Sequence, residues 1–456
     1  MAIVFRLTAI RSLVDLAFLY GGKVSTVLVA LIALPWYQKL LGSEAFGLVA
    51  VILSIQAFLV LMDLGMSTVV NREIAYGAGD LSDYDIFRAS ILVLNFFYAA
   101  ILLIALVGAQ LLPAAISLKT IFLSVVCFWA VTMQNVAQSA LLAKRLFFQA
   151  GFNQTVGVLA RAALTIGSLL AFESTIEVFL LAQAGTAVFH LLSTLLMCSA
   201  VMDRSKRSLQ SLIALSKALA LQGRPLVLFG LAGAAALQLD KVILAFFNPP
   251  EAVSEYYLAS VLCLTPISVL AAPIAQFFQP QIIRAVAKED VESISRLSRR
   301  LTATLILVVG VVSTVLWLYR EIFLDFWLHG SDSADAVSSY VAVMLPGVAL
   351  GSLGYVPFSL LTAQQDYSFQ AILSSALTIG TLMIVAFAAF NGSVIGVCSA
   401  YVAYHIGSAV FSWIRAIRLQ PKTSRYAVEA AFTAIKGLAA LSLPVAVIVG
   451  LGRMLF

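Results

Sequence analysis

Thirteen long apolar runs alternate with short polar segments along the chain. They fall at about residues 13–36, 45–70, 88–112, 117–142, 150–171, 176–200, 224–247, 254–283, 299–319, 337–363, 368–390, 393–414 and 429–452. A helix that crosses a bilayer needs about 20 apolar residues. A barrel strand would instead alternate apolar and polar positions over about ten residues, and these runs are continuous. Irregular backbone cannot face hydrocarbon. The pattern therefore predicts an all-α integral membrane protein with 12–13 transmembrane helices.

The polar segments carry a charge asymmetry. With the N-terminus in the cytoplasm, 20 of the 28 lysines and arginines fall in inside segments and four in outside segments. The remaining four lie within spans. The inside group includes Arg72, Arg88, Lys144, Arg145 and Arg415; the outside group is Lys39, Lys119, Arg320 and Arg453. Such a bias toward the cytoplasm is the topology signal of multi-pass proteins. The pair of crossings around Tyr367–Phe390 has no basic anchor at its cytoplasmic end and rests on hydropathy alone.

Composition agrees. The chain has 456 residues, is 62% hydrophobic and 11% charged, and has a mean hydropathy of +1.02. Soluble proteins carry about 25% charged residues. Arg6 and Arg11 precede the first run and no small-residue cleavage site follows it, so that run reads as the first membrane helix rather than a cleaved signal. The net charge of +6 is accounted for by topology, and no nucleic-acid partner is needed. Cys127, Cys198, Cys263 and Cys398 all lie in apolar runs without metal-ligand spacing, which implies buried, reduced thiols.

Two halves are expected. Residues 1–200 form a first six-helix lobe, 201–223 a cytoplasmic amphipathic linker, 224–420 a second six-helix lobe, and 421–456 an extra C-terminal span. Weak internal similarity supports this division. LLAKRLFFQA (141–150) matches LLTAQQDYSFQA (360–371) with two extra residues in the second copy. GSEAFG after the first run and PPEAVS after the seventh both put Glu-Ala just before a long helix. Parallel repeats of this kind are common in transporters.

A charge at mid-bilayer costs about 2.5–3.5 kcal/mol on insertion scales, so such residues usually face a cavity or a partner. The deep ones are Lys23, Asp63, Arg161, Asp240 and Lys241. Lys23 follows Gly21-Gly22, which would loosen the helix; it is either a structural partner of Asp63 or Asp240, or a cationic wall that attracts an anion. Arg161 sits near the middle of its span, beyond easy snorkelling. Asp240 and Lys241 are adjacent and project about 100° apart on a helix, so one is expected to face a cavity while the other pairs elsewhere. Asp63 is the candidate titrating or gating group, with permanent pairing to a lysine or arginine as the alternative. Arg72, at the cytoplasmic end of the same run, reads as an anchor or gate. Gln134, Asn135, Tyr256, Gln276 and Gln279 could line a sugar-binding cavity, or act as interhelical glue. Phosphate-loop, GxSxG and HExxH motifs are absent, the histidines are scattered, and neither an enzyme activity nor a metal site is expected.

The stretch LGSEAFGLVAVILSIQAFLVLMDLGMSTVVNREIA (41–75) resembles the second helix of the Wzx-type O-antigen flippases, the RfbX-like polysaccharide biosynthesis family. The matching positions are Leu41, Gly42, Phe46 and Gly47; Asp63, Leu64 and Gly65; and Arg72, Glu73 and Ala75. QLDKVILAFF from Gln238 and EYYLAS from Glu255 are similar to that family's seventh-to-eighth helix passage. The resemblance implies two six-helix lobes around a central cavity that opens alternately to each side, in a bacterial cytoplasmic membrane. The implied substrate is an undecaprenyl-diphosphate-linked oligosaccharide, its diphosphate met by Lys23, Arg161 and Lys241. Membrane lipids, a glycan polymerase and chain-length proteins are the implied partners. No cofactor is expected, and an H+ or Na+ gradient is the candidate energy source. The alternatives are a drug or cation exporter of the related multidrug type, which should display acids rather than cations, and a membrane scaffold for glycan assembly.

Overall fold

The computed structural model describes residues 2–61, 63–76, 82–109, 117–202, 208–419 and Lys436. The expected thirteenth span, 429–452, lies outside the described residues apart from Lys436. Among the described residues there is no β-strand. Eleven helical segments there are long and apolar enough to cross a membrane. Phe189, Phe246, Phe326 and Phe387 are all more than 70% exposed, as expected where lipid is the solvent. The chain divides after Leu239 into two compact units.

The first unit contains α1 (Ala2–Leu41), α2 (Ser43–Leu61), α3 (Met66–Tyr76), α4 (Asp83–Ala109), α5 (Leu118–Ala143), α6 (Phe147–Ala171) and α7 (Ile176–Val201). Helix α8 (Leu209–Phe247) follows and continues into the second unit. The segment expected to be a separate linker is thus joined to the seventh predicted span as one 39-residue helix from Leu209 onward. The second unit adds α9 (Pro250–Pro266), α10 (Ala272–Ala287), α11 (Val291–Leu305), α12 (Val311–Leu318), α13 (Arg320–Trp327), α14 (Ala334–Gly351), α15 (Tyr355–Ala363), α16 (Tyr367–Phe390) and α17 (Val394–Leu419).

Both second spans are interrupted. In the first unit α2 and α3 are separated by a turn around Asp63–Gly65. In the second, the π-helical segment Ile267–Ala271 joins α9 to α10, directly after Pro266 and before Pro273. Proline removes a helical donor, and a wider π turn accommodates the loss.

The repeat is visible in hydrogen bonds. After α5 the amide of Leu146 donates to the Leu141 carbonyl, and after α15 the amide of Asp366 donates to that of Leu361. Arg145 and Gln365 both take φ 59° in these turns. The side chain of Gln138 donates to the Ala150 carbonyl at 2.9 Å, while that of Gln370 donates to the Phe358 carbonyl at 3.3 Å. The two bonds link corresponding positions, with donor and acceptor helices exchanged. No insertion is needed in the second copy; in the structural register Ala143 matches Ala363, while the LL pair and the FQA triplet are each off by one, in opposite directions.

Helix α1 is unbroken through Gly21-Gly22. These glycines do not loosen it. A Cβ at Gly22 would lie 3.2 Å from the Gly151 Cα, so Gly22 permits the close crossing of α1 and α6. Ser25 and Thr155 share a hydrogen bond along the same seam at 3.1 Å. Small residues are the means by which membrane helices approach closely. In the second unit Gly347, Gly351 and Gly354 form a stripe on α14 and its extension, facing Val402, His405 and Ala409 of α17. A Cβ at Gly347 would be 2.4 Å from Val402 Cγ1 and 2.9 Å from its Cβ. By contrast, Gly380 in α16 has nothing within 4 Å of that position. Gly347→Ala should therefore destabilise the protein by about 1–3 kcal/mol. Gly380→Ala should be neutral or stabilising by up to about 1 kcal/mol. Thermal unfolding of the two variants in the same detergent checks this.

Candidate functional site

The turn between α2 and α3 is built by Asp63-Leu64-Gly65. Asp63 is buried. One carboxylate oxygen accepts from the amide of Gly65 and the other from that of Ser67, each at 3.0 Å. Leu64 and Gly65 take φ 54° and 72°; the left-handed region suits glycine and is uncommon for leucine. The Asp63 side chain, two residues before the N-cap Gly65, thus caps the start of α3 and satisfies donors that the interrupted helix leaves open. Asn135 of α5 donates to the Ser67 hydroxyl at 3.2 Å and ties this cap to the neighbouring helix. No lysine or arginine side chain among the described residues pairs with Asp63, whose partners there are backbone amides; Lys23, the cation named as its alternative partner, has its side chain outside the described residues. Arg72, at the far end of α3, is exposed and pairs with the adjacent Glu73 at 2.8 Å.

Arg161 lies in the middle of α6. No carboxylate among the described residues pairs with it, and its Nε is buried without a hydrogen-bond partner. Tyr37, Cys127 and His190 are its electrostatic neighbours. Beside it, Gln183 donates to Thr165 at 3.2 Å and lies 3.5 Å from the Tyr37 hydroxyl. A second chain of polar contacts runs through the unit. Gln134 donates to Gln154 at 3.0 Å and lies 3.4 Å from His190 Nε2, and Gln154 in turn donates to Thr26 at 3.3 Å. Among the described residues, the interior of the first unit therefore holds a cation, Arg161, with no carboxylate partner, within a shell of amides and hydroxyls.

The second unit treats its charge differently. Lys241 Nζ is 3.0 Å from Asp240 Oδ1, and the two side chains are 2% and 1% exposed. Their pairing corrects the expectation that adjacent residues must look to different partners. A four-carbon stem can bend back across the 100° separation, and burial makes an unpaired ion far costlier than a bent side chain. The Tyr256 hydroxyl donates to the other Asp240 oxygen at 2.6 Å. The ammonium also stands 5.8 Å from the ring centroids of both Tyr256 and Tyr401, a cation–π arrangement. His405 packs edge-on against Tyr401, with ring centroids 4.8 Å apart.

Lys23 belongs to α1, and its side chain lies outside the described residues. Gln276 is exposed and Gln279 half-buried on α10; they are not part of the Asp240–Lys241 cluster. Sequence reasoning missed Gln154, Gln183, Tyr37, His190, Tyr401 and His405. For the histidines a signal existed in the glycines. A Cβ at Gly157 would lie 2.4 Å from the His190 ring, and one at Gly351 would lie 2.7 Å from His405 Cβ. Each unit thus fits one histidine against a glycine of a neighbouring helix.

The family model described as "Polysaccharide biosynthesis protein" matches residues 12–280. No curated protein sequence matches the chain. Among solved structures, "Lipid II flippase MurJ, inward closed conformation" is similar at a TM-score of 0.70 and 12% identity, covering 94% of this chain and 97% of that one. An inward-facing multidrug resistance MATE family transporter of the MOP superfamily gives 0.68 at 13% identity, covering 88% and 95%. A MOP superfamily transporter from Pyrococcus furiosus, with a reported reverse polarity of its binding pocket, gives 0.56 at 13% identity, covering 89% and 94%. At these identities the likeness establishes the fold, which is that of MOP superfamily transporters.

The cap geometry separates two substitutions at one site. Asp63→Ala should lower stability by about 0.5–2 kcal/mol, the usual cost of losing an N-cap. Asp63→Asn, which retains an acceptor oxygen, should lose less. Thermal unfolding of the purified variants reads the difference.

Proposed function

The chain belongs to the polysaccharide biosynthesis protein family, and from that premise we propose that it translocates an undecaprenyl-diphosphate-linked oligosaccharide, such as an O-antigen unit, across a bacterial cytoplasmic membrane by alternating access. The family and the flippase and transporter neighbours support transport of this general kind. The observation that carries the finer reading is Arg161. A guanidinium in mid-span, with no acid among the described residues to neutralise it and a buried, unused donor, is an anion-seeking group. A diphosphate supplies the charge and the acceptor oxygens that a guanidinium fork matches. Lys23 is the second proposed cation. Lys241, held by Asp240, has the lesser claim. Gln134 and Gln154 offer amides suited to hydroxyl-rich sugars.

The sign of the charge separates this reading from a drug or cation exporter, whose cavity should present acids. The proposed location also gives the neighbours in the pathway: glycan polymerase and chain-length proteins would act on the exported unit. An H+ or Na+ gradient is the proposed energy source, with Asp63 as the proton-binding candidate. Protonating Asp63 would weaken the two hydrogen bonds from the Gly65 and Ser67 amides that hold the α2–α3 turn, so a proton there has a mechanical consequence.

Arg161→Ala and Lys23→Ala should each reduce surface glycan by more than about tenfold, the equivalent of about 1.4 kcal/mol or more, while the protein stays in the membrane. The lipid-linked oligosaccharide should accumulate on the cytoplasmic side, as read by extraction and mass spectrometry. Full export by both variants, or raised drug accumulation without a glycan defect in a strain lacking the protein, would sink the reading. In vesicles, flipping by Asp63→Asn should lose its dependence on a pH gradient; unchanged dependence assigns proton coupling to another group.

A further inference from the structure

Helices α4, α7 and the start of α8 enclose a groove of about 500 Å³ that the transport reading does not use. Its walls are apolar along most of their length, with Ile91 and Leu92 from α4, Leu195 and Leu196 from α7, and Leu212 from α8. One end is different. Arg88 lines it, half-buried, with the face of Tyr84 5.5 Å away. Among the described residues Arg88 has no carboxylate partner. Of the described acids near it on α4, Asp83 pairs with Lys144 and Asp85 is buried. At the opposite end of the groove Asn95 accepts a hydrogen bond from the Trp129 indole at 2.9 Å.

The depth of Arg88 follows from helix length. Helix α4 has 27 residues, so it is about 40 Å long, against a hydrocarbon core of about 30 Å. Arg88 is five residues from its start, about 7 Å along the axis. That places the guanidinium at the boundary between headgroups and hydrocarbon, on the side that carries Arg72 and Lys144. The charge bias assigns this side to the cytoplasm. Moving deeper from Arg88, the same face of α4 presents Ile91, Leu92 and Asn95. On α7, Leu196 is 70% exposed and Leu192 52% exposed. The groove is therefore cationic at headgroup level and apolar below it, along the direction in which a lipid lies.

We infer that this groove holds an anionic glycerophospholipid of the cytoplasmic leaflet, its phosphate on Arg88 and an acyl chain along α4 and α7. The charge and its depth argue for this occupant. A zwitterionic lipid would fill the apolar part equally but would leave the guanidinium without net compensation. The inference does not rest on the identity of the transported substrate.

The test uses the purified full chain in detergent, with phosphatidylglycerol and phosphatidylcholine of identical acyl chains as probes and native mass spectrometry as the readout. Arg88→Gln should lower phosphatidylglycerol retention about five-fold relative to wild type, the equivalent of about 1 kcal/mol for one basic side chain at an anionic surface. Phosphatidylcholine retention should not change. Independently of any variant, phosphatidylglycerol with a diazirine in its acyl chain should label wild-type peptides containing residues 91–95 and 192–196. Unchanged retention in Arg88→Gln overturns the inference, as does labelling confined to other helices. Displacement of phosphatidylglycerol by equimolar undecaprenyl phosphate would make the groove a polyprenyl-lipid site. Displacement by inorganic phosphate would make it a free-anion site. Either result also overturns the inference.

Discussion

A backbone that is interrupted inside hydrocarbon has to find its hydrogen bonds within the protein. An unsatisfied peptide group there costs several kcal/mol. The Asp63 carboxylate meets that demand for the break between α2 and α3, by accepting from the amides of Gly65 and Ser67. The neighbouring structure depends on it. Ser67 also receives Asn135, so the cap positions α3 against α5. Elsewhere the same demand is met by other means. Ser54, Thr165 and Thr302 bond back to carbonyls one turn earlier on their own helices. Gln138 and Gln370 serve the carbonyls of facing helices.

Charge follows a related rule with two outcomes. Asp240 and Lys241 neutralise each other within the second unit, under a tyrosine hydroxyl and two aromatic faces. A pair of this kind is weak evidence for added stability, because desolvation of both ions offsets most of their attraction. Arg161 in the first unit has no such partner among the described residues. Its burial costs free energy that nothing described in the folded chain returns. Under the proposed function, that cost is met when a ligand of opposite charge binds.

Much of the architecture was legible because lipid imposes a simple code. Apolar run length is enough to read the eleven candidate spans among the described residues. The DLG motif was legible as a special place, but its role was not. Hydropathy runs straight through residues 62–65 because the capped turn is compact and the carboxylate is hidden in its own backbone bonds. The Asp240–Lys241 pair was missed because helical angles describe Cβ directions, whereas a lysine ammonium moves on four carbons. The continuity of α8 was missed because a polar, basic stretch reads as a loop wherever it can equally be the end of a long helix. His190 and His405 were dismissed as scattered. What places each of them is the absence of a side chain at Gly157 and Gly351, and a pattern of hydrophobic and polar letters does not display an absence.

The two units share a plan but not a chemistry, and their second spans show where they separated. Both begin with a glutamate in the first turn, Glu44 and Glu251. Both depart from regular α-helix part-way across. In the first unit the departure is a tight turn held by an ionisable side chain. In the second it is a π segment flanked by prolines, whose geometry is covalent in origin and indifferent to protons. A change in protonation can therefore alter the shape of the first span in a way the second has no means to follow. Arg161, without a carboxylate partner among the described residues, stands in the unit whose turn an ionisable group holds, and the neutralised pair stands in the unit whose bend is fixed. Both asymmetries are the reason the proposed anion and proton roles fall to the first unit.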